Sequence, residues 1–109
     1  MNLKKIIEDS LNIPALEAFR PVIPPCATYY TIVDENGLFG DGQEEEGIES
    51  YQVDIWNRNS DSVKQMARTL KASLVSPGIG ASIPYVSYLY DNNGKMWRAT
   101  LTFSCVREE

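Results

Sequence analysis

Glu49 to Leu74 reads ESYQVDIWNRNSDSVKQMARTLKASL, and this stretch decides the fold. Tyr51, Val53 and Ile55 alternate with Gln52, Asp54 and Trp56, the period-two pattern of a half-buried strand. Asn57 to Ser60 breaks that pattern. Val63, Met66, Ala67, Leu70 and Leu74 then recur at helical spacing, with Lys64, Arg68 and Lys71 on the opposite side. Ser60 or Asp61 is expected to cap this helix, because a short side-chain oxygen accepts from the free N–H groups of a first turn. The spacing predicts a helix from about Asp61 to Val75, ended by Pro77-Gly78. A strand thus turns directly into an amphipathic helix.

Downstream the pattern is that of a hairpin. Tyr85 to Tyr90 reads as one strand, Asp91-Asn92-Asn93-Gly94 as a turn whose Asn and Gly tolerate positive φ, and Met96 to Val106 as a second, longer strand. Trp97, Ala99, Leu101, Phe103 and Cys105 face one way; Arg98, Thr100, Thr102 and Ser104 face the other. Such clean alternation assigns one buried and one polar face.

Upstream, Leu3, Ile6, Ile7 and Leu11 mark one face of a short helix closed before Pro14, and Ala15 to Phe19 could add a turn to it. Pro21, Pro24 and Pro25 fix φ and remove donors, so they mark an extended linker. Thr28 to Val33 is β-branched and aromatic, and reads as a strand. Asp34 to Glu49 reads as a loop. It holds Gly37, Gly40, Gly42 and Gly47 among the carboxylates Asp34, Glu35, Asp41, Glu44, Glu45, Glu46 and Glu49, with no basic residue between them. The expected fold is α+β, a mainly antiparallel sheet of four to five strands with two helices packed on it.

The chain has 109 residues, enough for one domain over 1–109 and too few for two. Its formal net charge of -5 argues against a protein that covers nucleic-acid phosphates with Lys and Arg. No apolar run approaches the roughly 20 residues of a membrane-spanning helix, and no signal peptide is read at the N-terminus. Cys26 and Cys105 match no zinc spacing and are read as reduced, buried and cytosolic, the alternative being a disulfide that needs their Cα atoms within roughly 7 Å.

Little in the chain points to catalysis. Histidine is absent, so no imidazole can activate a Ser or Cys. Asp54 is the best single acid–base candidate, yet its alternation places it away from Val53 and Ile55, as a surface or interface residue. The run Asp41, Glu44, Glu45 and Glu46 lacks the ligand spacing of a calcium loop. It stands either as a solvated, self-repelling loop or as a functional acidic surface. The tyrosines are read as core and cross-strand residues, because no basic residues interleave Tyr85 to Tyr90 as a base-stacking platform requires. Any that prove exposed point to a protein interface, and Trp56 falls under the same reading. No cofactor, metal or enzymatic activity is expected.

The run Tyr29-Tyr30-Thr31-Ile32-Val33, the Gly-rich acidic loop, Tyr51-Gln52-Val53-Asp54-Ile55-Trp56, Ser60, and the helix with Ala67, Leu70 and Leu74 resemble the tail terminator (tail-completion) proteins of long-tailed phages and prophages. The resemblance covers Met1 to Val106 and rests on patterns of strand and helix. It implies a ring, usually a hexamer, that caps the tail tube and joins it to the head. The implied partners are other copies of this chain, the major tail tube protein and head–tail connector proteins, with no membrane. DNA is met only by passage through the ring, and an acidic lumen that repels phosphate suits sliding. The implied locations are the host cytoplasm during assembly and then the virion. No catalytic residue comes with the family. Leu38, Phe39 and Ile48 are apolar residues that a purely solvating loop has no need to keep. They are candidate anchors for a tail partner, with the loop expected to be mobile when free and ordered on docking. Other readings are a related neck or tail-tube component, an acidic binding module such as a DNA mimic or inhibitor, and a small hydrolase, which the missing histidine and carboxylate pair count against.

Overall fold

The computed structural model describes residues 2–17, 22–32 and 48–106. Seven elements follow in order: α1 (Leu3–Leu11), β1 (Ala15–Glu17), β2 (Cys26–Ile32), β3 (Ile48–Asn57), α2 (Ser60–Leu74), β4 (Tyr85–Asp91) and β5 (Met96–Val106). The strands form one mixed five-stranded sheet in the order β1-β2-β3-β5-β4. The β2–β3, β3–β5 and β4–β5 pairs are antiparallel, and the β1–β2 pair is parallel. The fold is therefore α+β as expected, with one correction: Ala15 to Glu17 form a strand beside Ala27 to Tyr29, not an added helical turn.

Both helices pack on one face. Val63, Ala67, Leu70 and Leu74 of α2 and Leu3 and Ile7 of α1 are buried against Ala27, Val53, Ile55, Ala99, Leu101 and Phe103. Met66 of the same stripe is only partly buried and packs at the rim of this core. The physical logic is the match of two periods: a 3.6-residue stripe on the helices covers the period-two face of β3 and β5.

The helix ends are set by asparagine side chains. Asn2 Oδ1 accepts from the Lys5 N–H at 3.1 Å, and Asn59 Oδ1 accepts from the Ser62 N–H at 2.9 Å. Asn59, not Ser60 or Asp61, is thus the cap of α2, and the helix ends at Leu74, one residue early. α1 stops at Asn12, which takes the left-handed conformation at φ 57° and donates its N–H to the Glu8 carbonyl at 2.9 Å. Glu8 accepts from Lys4 Nζ at 2.6 Å and from the Ala15 N–H at 3.2 Å. These two donors, the ammonium first, hold the Glu8 carboxyl below its usual range and tie α1 to the start of β1.

In the β4–β5 turn the positive φ falls on Lys95, at 55°, and not on the Asn or Gly expected to carry it. A Cβ at Gly94 would lie 2.6 Å from Met96 Cε and 2.9 Å from Asp91 Oδ2, so a larger residue there would displace the ends of these two flexible side chains. Asp91 Oδ1 also accepts from the Asn93 N–H at 3.1 Å, closing the turn.

Cys26 and Cys105 are both free and buried. Their register places them on opposite faces of the sheet, Cys26 in line with Trp56 and Cys105 with Phe103. Burial pushes the Cys26 thiol up, away from the reactive thiolate.

A polar open sheet face as the candidate functional surface

The face of the sheet turned away from the helices is built by the alternate residues of each strand. The pairings set its rows. Thr28, Asp54, Thr100 and Ser87 form one row; Cys26, Trp56, Arg98 and Leu89 the next; Tyr30, Gln52, Thr102 and Tyr85 lie on the other side. These residues come from four strands, so alternation within any one strand shows only a quarter of the surface.

Asp54 sits at the centre, and its position corrects the sequence reading. It does face away from the helix side, but it is 8% exposed and not a surface residue. Thr100 Oγ1 donates to Asp54 Oδ1 at 2.7 Å, and Gln52 Nε2 lies 3.3 Å and 3.4 Å from the two carboxylate oxygens. A buried carboxylate with hydroxyl and amide donors is a structural acceptor. Asp91, the other described carboxylate of this face, stands four residues beyond the β4 member of Asp54's row. The two are too far apart for a general acid and base to share a reacting group.

Thr100→Val is expected to lower stability by about 1–3 kcal/mol in a urea titration, since it removes the shortest bond to a buried acceptor without changing side-chain shape. A change within about 0.5 kcal/mol would show that Gln52 and water satisfy Asp54 alone. The Thr100→Val, Asp54→Leu double variant should recover part of the loss, because no buried charge remains to be satisfied.

Trp56 is half-buried. Its Nε1–H donates to Thr28 Oγ1 at 3.2 Å, and the Arg98 guanidinium carbon lies 5.6 Å from its ring centre. Arg98 Nε is buried without a hydrogen-bond partner among the described residues. Trp56, Arg98, Leu89 and the turn residues Asp91 to Asn93 line an open hollow at this corner. Ser50 and Ser104 hydroxyls lie 2.9 Å apart at the opposite corner. Among the described residues no three His, Cys, Asp or Glu side chains converge as metal ligands would. Cys26, Thr28 and Asp54 of this face are buried, so Gln52, Trp56, Arg98, Thr102 and the exposed Tyr30 and Tyr85 are what it offers to a partner.

Of the partner-contact residues expected from the sequence the structure brings Trp56 into this surface, and Asp54, the acid–base candidate, lies at its centre. Ile48 opens β3 opposite Val106, and Glu49 follows it in the strand, so both belong to the sheet and not to a loop. Leu38, Phe39, Asp41, Glu44, Glu45 and Glu46 lie outside the described residues. Arg98 and Leu89 were not singled out from the sequence; the signal was their alternation with Trp97 and Tyr88.

The tyrosines divide. Tyr29 and Tyr51 pack against the core, and the Tyr51 ring centre is 5.7 Å from that of Phe103. Tyr30, Tyr85, Tyr88 and Tyr90 are exposed, contrary to a core reading, while Tyr90 makes the cross-strand contact also expected, its ring centre 5.2 Å from that of Trp97. Leu89 and Ile83 are exposed beside them, so the β4 end of the sheet carries most of the exposed apolar surface among the described residues. Among those residues no helix is long and apolar enough to cross a membrane. Compared with known proteins, the chain matches no family model and no curated sequence.

Proposed function

We propose that this chain is a ring-forming structural protein of a phage or prophage tail, which caps the tail tube, joins it to the head and lets DNA pass through the ring. The observation that carries this reading is the order of parts. A Tyr-rich strand, a Gly-rich acidic segment, a strand ending in Val53-Asp54-Ile55-Trp56 and a capped amphipathic helix occur together, as in tail terminator proteins. Two features of the fold support it. The open sheet face has the chemistry of a docking surface, with its central carboxylate used as a structural acceptor. The exposed aromatic residues of β4 suit contacts in an assembly. The net charge of -5 suits a conduit that DNA traverses without being held.

In this reading other copies, the major tail tube protein and the head–tail connector are the partners, and Leu38, Phe39 and Ile48 anchor the docking of the acidic segment. The test is a tail-assembly assay with Leu38 and Phe39 both changed to Ser. Tubes that overgrow or fail to join heads are the expected result. Tails of normal length that join heads as well as those made with the unaltered chain would remove the docking role. An acidic binding module is the second reading, favoured by the charge alone; it would bind its target as a monomer or dimer and leave tail length untouched.

A further inference from the structure

The two edges of the sheet differ. The described part of the β1 edge, Ala15–Glu17, carries the exposed carboxylate of Glu17, and a charge on an edge opposes pairing with another chain. The β4 edge is seven residues long, and among the described residues it pairs with β5 alone. Tyr85 to Asp91 contains no Lys, no Pro and no bulge: its register with β5 runs unbroken from Tyr85↔Thr102 to Asp91↔Met96. Of the usual devices against edge-to-edge pairing, the strand carries a single charge, Asp91 at its end, with Pro84 just outside it. Its side chains are exposed as well, with Tyr85 at 74%, Leu89 at 54%, Tyr90 at 41% and Tyr88 at 40%.

From this edge we infer that β4 pairs antiparallel with β4 of a second copy of this chain, about a two-fold axis through Tyr88. The register follows from geometry. Residues directly opposite each other in a sheet must point to the same face, so the axis passes through a residue and not between two. Of those residues only Tyr88, the middle of seven, leaves every position of the strand paired. Tyr88 then meets Tyr88 of the second copy, Val86 meets Tyr90, Ser87 meets Leu89, and Tyr85 meets Asp91.

The charges select the same occupant. Asp91 is the only charged residue of β4. In this register the two Asp91 carboxylates lie at opposite ends, roughly 20 Å apart at about 3.4 Å per residue. Each faces a Tyr85 hydroxyl that can donate to it. The strand is thus complementary to itself, with aromatic and apolar pairs on the helix side and a hydroxyl–carboxylate pair at each end. Pro84 and the Asp91–Gly94 turn bound the pairing. The product is a ten-stranded sheet with all four helices on one face. A two-fold contact of this kind closes at two copies. It is a contact of the free protein, and it takes the same exposed β4 residues that the ring reading draws on, so a ring that used them would displace it.

The test uses the full chain. Sedimentation equilibrium at rising concentration should give a mass of two chains, and Tyr88→Lys, which sets two ammonium groups face to face, should halve it without altering the circular dichroism. A single-chain mass up to several hundred micromolar, or a two-chain mass retained by Tyr88→Lys, would overturn the pairing. A six-chain mass that survives Tyr88→Lys would overturn it too, while favouring the ring. Cysteine cross-linking checks the register separately. Tyr88→Cys should oxidise to a covalent dimer, since residues opposite each other lie within disulfide reach. Tyr85→Cys should not. Equal cross-linking at the two positions would contradict the two-fold register.

Discussion

Replacing Leu70 with alanine is expected to lower the unfolding free energy by about 2–5 kcal/mol, the range for deleting a buried leucine side chain. Leu70 is fully buried at the middle of the α2 stripe, in the cluster that holds Val53, Ile55 and Leu101 of the sheet. Two effects add. The lost side chain no longer removes apolar surface from water, and the strands beneath it relax only partly into the cavity. The helix keeps its propensity, since alanine is the best helix former, so the whole loss reports packing. Arg68, exposed two residues earlier on the opposite side, is the control: Arg68→Ala should change stability by no more than about 0.5 kcal/mol. Urea titration of both variants measures the contrast. A Leu70→Ala loss as small as that of Arg68→Ala would show that α2 does not cover the sheet.

The elements with strong periodicity were legible in the sequence. The alternation from Trp97 to Cys105 identified β5 to its ends and assigned its buried face correctly. The stripe from Val63 to Leu74 identified α2, and only its cap was misplaced. Asn59, Ser60 and Asp61 are all good caps, so residue type cannot choose among them. The strand β1 was missed for a different reason. Three residues carry no period, and its parallel pairing with β2 is a non-local contact that no local pattern announces.

The candidate surface was less legible because it is two-dimensional. Alternation placed Asp54 on the right face, yet its burial depends on Thr100, 46 residues away in sequence. The Tyr85 to Tyr90 run is apolar or aromatic at almost every position, and such a run reads as buried on both faces. The structure sets it at the edge of the sheet, where the same residues are exposed. Its surplus of aromatic surface is the feature that sequence patterning alone assigns to the wrong environment.

The proposed role, ending tail growth and joining tail to head, has its largest expected effect on particle form. A growing tube of stacked rings adds subunits at its open end until that end is occupied. A protein that occupies it sets the final length and presents the surface to which the head attaches. Loss of that protein therefore acts on two visible quantities at once. Both depend on its presence, whereas loss of an enzyme or inhibitor would change particle number without changing tube length. The direct measurement is electron microscopy of particles made after deletion of the coding gene from the genome that carries it, with the unaltered chain supplied in trans as control. Tubes of uncontrolled length beside heads without tails are expected, with restored particles in the control. Joined particles with tails of normal length in the absence of the chain would contradict the proposed role.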